Sequence, residues 1–420
     1  MKCWEFGYSC WVYKKMKICF VCDSYKPVYD GVVRYFDYII PAIVKAGHEV
    51  TLVCPKIPGT NDYEYPFEGF TVVRSFNPGF HTQGYWFALP DKRMFKAMKE
   101  SDFVFIHSAG TLGIMGGMLA KAMNKKTGMF VHQDERIIFH NVLHIGNFMY
   151  NFYLTLISQL FYGLFIDTFF HATERFKGKL LDFGISEERI FHTPFAIDDS
   201  RFYPGNPKYD IRKRHGIPQD AIVSIYVGRL AREKNVANLI ESMDSAMDAE
   251  PNLYSLFVGK GPDWEHYSSF PYRNKERMIF TGFVPDDELQ SHYVAADFFT
   301  SPSLNESSCF TVFEAMSCQV PVITSAYRHD PDINHKENAL LIGEIANQDE
   351  IKENILMLFQ DEKLRKKIGK AGKKLVDSRN WDNHVKRFLK GVEYTLFEKR
   401  RNRIRDILKP KYPYLKDKKK

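Results

Sequence analysis

Two pairs of charged residues carry the chemistry this sequence offers. Glu306 and Glu314 stand eight positions apart in Ser301-Pro302-Ser303-Leu304-Asn305-Glu306-Ser307-Ser308-Cys309-Phe310-Thr311-Val312-Phe313-Glu314. A strand-like run (297–300) precedes them and an apolar helical turn follows, so both fall at a strand-to-helix junction. In open α/β sheets, ligands bind at the carboxyl ends of strands. The N–H groups of 309–312 would open that helix toward an anion. Carboxylates accept from hydroxyls and such N–H groups donate to phosphate oxygens, so the stretch suits a phosphorylated sugar. The second pair is Arg229 and Lys234, in Gly228-Arg229-Leu230-Ala231-Arg232-Glu233-Lys234-Asn235. Arg229 can fork onto two phosphate oxygens and Lys234 can act as a point charge, which is what a diphosphate requires.

The elements that must position these groups alternate along the chain. Ile18 to Cys22 reads as a buried parallel strand, followed by a loop (23–31) and a helix from Gly31 to about Ala46. Gly47-His48-Glu49 stops that helix and begins a second strand, with His48 at the strand entrance. Further strands are predicted at 71–76, 102–108, 128–132, 167–172 and 189–194, with helical segments between them. Residues 198–210, with Pro204, Gly205 and Pro207, read as a linker, and a new sheet starts at Ala221. The expected fold class is therefore α/β, with two doubly wound parallel-sheet domains. A chain of 420 residues fits two domains better than one.

Glycines mark several strand ends. Gly31 would let backbone approach a ligand closely. Gly228 precedes Arg229, Gly259 and Gly261 follow the strand-like run Leu256-Phe257-Val258, and Gly282-Phe283-Val284 follows Ile279-Phe280-Thr281. Two histidines also stand at strand ends. His107 leads into a glycine-containing turn, and His132 heads His132-Gln133-Asp134. A Cys-x2-Cys pair, Cys19 and Cys22, lies within a strand, which would send the two thiols to opposite faces. No second Cys/His pair stands at zinc spacing, so no metal is expected there. Asp330-Pro331-Asp332 reads as a turn rather than a metal motif.

The paired glutamates, their flanks Pro302-Ser303 and Glu314-Ala315-Met316, and the Gly-Arg…Glu-Lys run together resemble the retaining, GT-B-fold glycosyltransferases of family 4. The resemblance extends from Met16 to about Lys399. It implies an acceptor-binding Rossmann-like domain at 16–203 and a nucleotide-sugar-binding domain at 204–380; the aromatic, irregular 1–15 reads as a leader, either an added start or a flexible lead. It also implies a helix (381–399) crossing back to the first domain, ahead of a basic tail (400–420), and a central cleft facing both domains. A hexose would move from a nucleotide diphosphate sugar, GDP-mannose or a UDP-hexose, with no metal or other cofactor required. Arg229 and Lys234 would take the charge of the leaving diphosphate. Glu306 would bind the sugar hydroxyls, Glu314 the ribose, and His132 the sugar from the opposite side. Gly228, Gly259, Gly261, Phe283, Val284, Cys309, Phe310 and Thr311 would line the donor, with Gly31 against its phosphates. On the acceptor side stand Asp30, Arg34 and His107. The family has Gly-Gly-Val where this chain has Asp30-Gly31-Val32, a variant associated with lipid acceptors. Ser308 and Cys309 replace the usual aromatic and glycine, which leaves the sugar preference open.

Composition sets the outer bounds. Apolar residues at 45% and charged residues at 26% are those of an ordinary globular protein. Seven cysteines, an odd number, point to reduced thiols and a cytoplasmic setting. The net charge of +7 is concentrated in 399–420, where eleven Lys and Arg face two Asp; the rest of the chain carries −2. That tail is either a solubilising end or a contact for anionic lipid on the inner face of a membrane. A nearly neutral body with no nucleic-acid motif argues against nucleic acid. The aromatic stretch 137–170 admits two readings, a helical cover for the sheet or a surface dipping among lipid headgroups. The acceptor expected is a membrane lipid or lipid-linked glycan, the alternative a soluble sugar or polysaccharide. Outside that class stand a hydrolysing nucleotide-sugar epimerase and an inactive scaffold.

Overall fold

The computed structural model describes residues 15–28, 31–82, 85–107, 109–131, 156–303, 309–325, 330, 332–343 and 347–397. The chain forms two compact units. The first holds residues up to 130, 156–169 and 390–397, and the second 170–389.

The first sheet follows the predicted alternation. Its strands are β1 (Lys17–Val21), β2 (Glu49–Pro55), β3 (Tyr63–Phe67) and β4 (Phe70–Ser75), with a separate antiparallel pair, β5 (His81–Thr82) and β6 (Tyr85–Trp86). Then come β7 (Phe103–Ile106), β8 (Lys126–Phe130), β9 (Thr168–His171) and β10 (Ile190–His192). The order is β10-β9-β8-β7-β1-β2-β4-β3. β1 pairs in parallel with both β2 and β7, and β2 with β4. β3 is antiparallel to β4 and was not predicted, because Glu64, Pro66 and Glu68 break the apolar pattern. As an edge strand it tolerates that interruption.

Helices α1 (Gly31–Lys45), α2 (Lys92–Glu100), α3 (Thr111–Ala122) and α4 (Glu174–Asp182) connect these strands. α1 begins and ends where the apolar spacing placed it, burying Val33, Phe36, Ile40 and Ile43 at helical intervals. α3 packs closely because it carries Gly116 and Gly117. A Cβ on Gly117 would stand 2.7 Å from the Phe161 ring, and one on Gly116 3.1 Å from Val21. Phe161 and Tyr162 are buried at the end of a wide, π-type helix (Leu156–Phe165). For the helical residues 161–165 the covering role is the one observed, while 168–170 belong to β9; 137–155 lie outside the described residues.

The second sheet is parallel throughout, with order β13-β12-β11-β14-β15-β16. After the short α5 (Ile211–Arg214), β11 (Ile222–Val227), β12 (Leu253–Val258) and β13 (Met278–Gly282) run outward in one direction. β14 (Phe298–Ser301), β15 (Val322–Thr324) and β16 (Leu340–Leu341) run in the other. The helices are α6 (Val236–Ala249), α7 (Trp264–Ser269), α8 (Leu289–Val294), α9 (Phe310–Ser317), α10 (Gln348–Gln360) and α11 (Glu362–Asp377), and the last helix, α12 (Trp381–Phe397), has its final eight residues in the first unit. Leu239, Ile240 and Met243 of α6 meet Ile351, Ile355 and Leu358 of α10 in one buried cluster against Phe257 and Ile323.

The stretch read as a linker is tied down. The Phe202 carbonyl accepts from Ser317 Oγ at 2.6 Å, and those of Tyr203 and Gly205 accept from Gln290 Nε2 at 2.9 Å. Phe202 itself is buried against Tyr293, edge to face at 5.9 Å. Proline and glycine there shape a packed strap, a role their composition alone does not distinguish from a flexible link.

Candidate functional site

In the second sheet the strand order reverses at β11, which lies between β12 and β14. Open parallel sheets form ligand crevices at such a point. The loops leaving β11, β12 and β13 are laced by backbone. Gly228 N–H donates to the Val258 carbonyl at 2.9 Å, Gly259 N–H to that of Gly282 at 2.8 Å, and Leu230 N–H to that of Lys260 at 3.2 Å. This lacing requires glycine at two places. A Cβ on Gly259, whose φ is +122°, would lie 2.1 Å from the Gly228 carbonyl oxygen. One on Gly261 would lie 2.2 Å from that of Leu230. Gly228, Gly259 and Gly261 thus contribute main chain to these strand ends without side chains of their own.

Arg229 and Lys234 stand on the loop that leaves β11. The Tyr226 hydroxyl donates to the Arg229 carbonyl at 2.9 Å, fixing the backbone while the side chain is exposed. Lys234 is half-buried and ends a tight turn (Arg232–Lys234), in which its N–H bonds the Ala231 carbonyl at 2.9 Å. Asn235 follows at φ +56° and its carbonyl accepts from Leu239 N–H, which turns the chain into α6. The five-residue spacing therefore comes from one compact turn, and it keeps both cations on the same strand end. On the β13 side, Phe283 is 75% exposed and Val284 half-buried. An aromatic ring so exposed is a ready stacking surface.

Glu314 lies in α9 as predicted, but it is fully buried. Its Oε2 accepts from the Tyr293 hydroxyl at 2.8 Å. The negative charge also acts on its neighbour: burial first, then Glu314, pushes the Cys318 thiol far above its usual range. Tyr293 on α8 was missed in the sequence, where it is one aromatic among many with no spacing to mark it. Cys309, Phe310 and Thr311 open α9. Cys309 Sγ is 3.2 Å from Thr311 Oγ1, and Phe310 packs edge-on to Phe195 at 5.1 Å. Beside them Ser303 is buried, its carbonyl taking a hydrogen bond from the Ser325 hydroxyl. Glu306 and Ser308 lie outside the described residues.

Asp330 and Asp332 have a definite task. Arg379 donates to Asp330 Oδ2 and Oδ1, both at 2.8 Å, and to Asp332 Oδ2 at 2.7 Å. Asp330 and Arg379 are both buried, so the pair joins the loop after β15 to the end of α11. The turn reading is thereby sharpened into a buried ion pair.

In the first sheet the order reverses between β1 and β7. Asp23, just past β1, accepts from Leu112 N–H at 2.8 Å, Gly113 N–H at 3.3 Å and Thr111 Oγ1 at 3.2 Å. It caps α3 from a distance in sequence, a role the sequence did not reveal. His107, at the end of β7, is 2% exposed. Phe36 and Phe105 meet its ring edge-on at 4.5 and 4.6 Å, with Phe20 at 5.0 Å and Tyr35 at 5.7 Å. Among the acceptor-side candidates, then, His107 is enclosed by the core. Gly31 is exposed at the first position of α1, and a Cβ there would meet no described atom within 4 Å. Arg34, one turn along, is half-buried. Asp30 and His132 lie outside the described residues. Cys19 is buried in β1, which pushes its thiol up to about 12, so it is a core residue.

Known proteins are similar to this chain over most of its length. Residues 29–201 match the model of Glycosyltransferase Family 4, and residues 207–375 match that of Glycosyl transferases group 1. The chain is a GT-B-fold glycosyltransferase of this family. This glycosyltransferase is 26% identical over 353 residues, 78% of its length and 85% of the relative's, to TuaC of Bacillus subtilis (strain 168), whose name places it in teichuronic acid biosynthesis. It is 25% identical over 333 residues, 73% of its length and 80% of the relative's, to the alpha-monoglucosyldiacylglycerol synthase of Acholeplasma laidlawii. Among solved structures, the sucrose-phosphate synthase of Thermosynechococcus elongatus superposes with a TM-score of 0.69 at 18% identity. That superposition covers 90% of the glycosyltransferase and 98% of the synthase, a likeness of fold.

Proposed function

We propose that this glycosyltransferase moves a hexose from a nucleotide diphosphate sugar to a membrane lipid or lipid-linked glycan, with retention at the anomeric carbon. The observation that carries the donor half is the glycine-laced main chain at the ends of β11, β12 and β13, with Arg229 and Lys234 in the loop that leaves β11. Such main chain lets a diphosphate lie close, and two fixed cations offset the charge that grows on the leaving group. That accounts for departure of the diphosphate by this chain's own side chains, with no metal ion needed. Phe283 offers its face to the base, and Glu314, its rotamer held by Tyr293, is the ribose ligand in this reading. Glu306 and His132 take the sugar hydroxyls. No described residue is placed here as a covalent nucleophile. Attack therefore comes from the leaving-group side, with a donor phosphate oxygen helping to receive the acceptor proton.

The acceptor half is supported by the likeness to the diacylglycerol-directed synthase and by the Asp30-Gly31-Val32 sequence. A polysaccharide acceptor is the second reading, favoured by the likeness to TuaC. Incubating the purified protein with labelled UDP- and GDP-hexoses and a membrane lipid extract separates them. Label entering the organic phase, with the product anomer matching the donor by NMR, is the expected result. Label confined to water-soluble polymer favours the second reading, and an inverted anomer overturns retention. In the same assay Lys234→Ala should lower turnover by about 10³-fold with an unchanged melting temperature. Full activity of that variant would sink the assignment of the diphosphate site.

A further inference from the structure

The second half of the β4–α2 connection and the outer side of α2 hold a surface that the donor chemistry does not use. Phe76, Phe80, Phe87 and Leu89 flank β5 and β6, and they are 52%, 68%, 42% and 42% exposed. They belong to one structure. Phe87 N–H donates to the Phe80 carbonyl at 3.0 Å, and Leu89 N–H to that of Phe76 at 2.8 Å, extending the pairing of β5 with β6. Phe80 and Phe87 are thus cross-strand neighbours on one face of the ribbon.

This ribbon is anchored to α2. Asp91 caps the helix through Arg93 N–H and Met94 N–H, and its Oδ2 also accepts from Phe76 N–H at 3.1 Å. α2 buries Met94 and Met98 and exposes Lys92, Phe95, Lys96 and Lys99. Those four share one face at intervals of three and four, with Phe95 48% exposed among three lysines. From Phe76 to Lys99 the sequence holds four Lys and Arg and a single Asp, and that Asp is bonded to Arg93. Glu100, which ends the helix, comes only to 4.0 Å of Lys96, and both side chains are solvent-exposed. Five large apolar side chains and three lysines are thus exposed within 24 consecutive positions, and exposed apolar patches rimmed by polar groups mark interaction surfaces. Aromatic rings with flanking cations match the boundary between acyl chains and anionic headgroups, where the rings enter and the cations meet phosphate.

We propose that the β5–β6 ribbon with its flanks and the exposed face of α2 dock this protein on an anionic lipid bilayer. The proposal rests on the lipid-acceptor reading and assigns its membrane-facing surface, distinct from the basic tail at 399–420. Phe80 and Phe87 enter the headgroup–acyl boundary, and Lys92, Lys96 and Lys99 pair with lipid phosphates.

The test uses the full chain and vesicles of phosphatidylglycerol with phosphatidylcholine, against vesicles of phosphatidylcholine alone. A Phe80→Trp variant should show blue-shifted emission relative to wild type on adding anionic vesicles, with quenching by brominated acyl chains. The carboxyl-terminal tail cannot produce that signal. Phe80→Ser with Phe87→Ser should weaken vesicle partitioning by about tenfold or more. Lys92→Ala, Lys96→Ala and Lys99→Ala should each cost about fivefold at low salt, and less as salt is raised. All five positions are solvent-facing, so melting temperatures should hold; a second, single Phe80→Ser variant serves if the double one does not fold. Unshifted emission from the Phe80→Trp variant on vesicles that still bind the protein overturns the proposal, because another surface then makes the contact. Concentration-dependent dimers that Phe80→Ser abolishes without vesicles would overturn it in favour of self-association. Transfer to detergent-dispersed lipid separates the two readings. Turnover there with no vesicle docking defeats only the docking surface, whereas docking without any transfer to lipid defeats the lipid-acceptor reading.

Discussion

The two sheets of this molecule each reverse their strand order once, and the two reversal points are filled in opposite ways. At β1/β7 the space beyond the strands is occupied by the protein's own groups. Asp23 is spent on the first turn of α3, and His107 is walled by four aromatic rings. At β11/β14 the loops leaving β11 and β12 approach one another through main chain, with Gly259 and Gly261 where a Cβ would strike a carbonyl and Arg229 and Lys234 on the β11 loop. A titratable residue at a strand end is therefore a poor sign of a site by itself. The informative sign is what the neighbouring strand ends lack.

That contrast can be broken experimentally, beginning with the largest effect. Gly259→Ala should destabilise the protein by about 3–4 kcal/mol, combining overpacking against the Gly228 carbonyl with a strained positive φ. Denaturant titration of the variant checks this, and a cost below about 1 kcal/mol would mean these loops are pliable.

Next comes acidification, which probes the buried histidines of the second unit. His384 donates from Nδ1 to the Pro194 carbonyl at 2.8 Å, and burial pushes its pKa down to about 4. The folded value lies below the ordinary 6.5, so the unfolded chain takes up the proton first. The neutral ring's contribution is complete above pH 6.5 and is lost progressively as pH falls toward 4. By pH 5 the loss is about 2 kcal/mol. His171, also held near 4 by burial and then by stacked His192, adds to the same slope. Unfolding curves from pH 7 to pH 5 should show that slope, and His384→Gln, which retains a donor, should flatten it. An unchanged slope would mean that other groups carry the acid sensitivity.

The smallest expected effect lies in the first sheet. Asp23→Ala removes an acceptor from Leu112 N–H, Gly113 N–H and Thr111 Oγ1, and should cost about 1–2 kcal/mol. Melting curves check it. A large loss of turnover with little loss of stability would reassign Asp23 to the reaction and erase the contrast drawn above.

Much of this was readable in advance. Strand positions came through to within a few residues, because buried parallel strands are continuous apolar runs, as in Ile222–Val227 and Phe103–Ile106. The Gly228, Gly259 and Gly282 turns were found because their spacing leaves a trace in sequence. What was not readable depends on distant partners. Tyr293 meets Glu314 from another helix, Asp23 reaches α3 across 89 positions, and Arg379 finds Asp330 across 49. No local pattern encodes such pairings. The surroundings of His107 were hidden for the same reason, since its four rings come from three separate elements.

The last helix has a consequence for how the protein is made. Thr168 and Thr395 share a hydrogen bond between buried hydroxyls inside the first unit, yet 170–389 separate them in the chain. A ribosome therefore delivers the entire second unit before the residues that complete the first. A fragment ended near residue 203 would be born without Thr395, so Thr168 would lose its hydroxyl partner. Expression of the halves as separate pieces would thus cut across the order in which the nascent chain closes its first sheet.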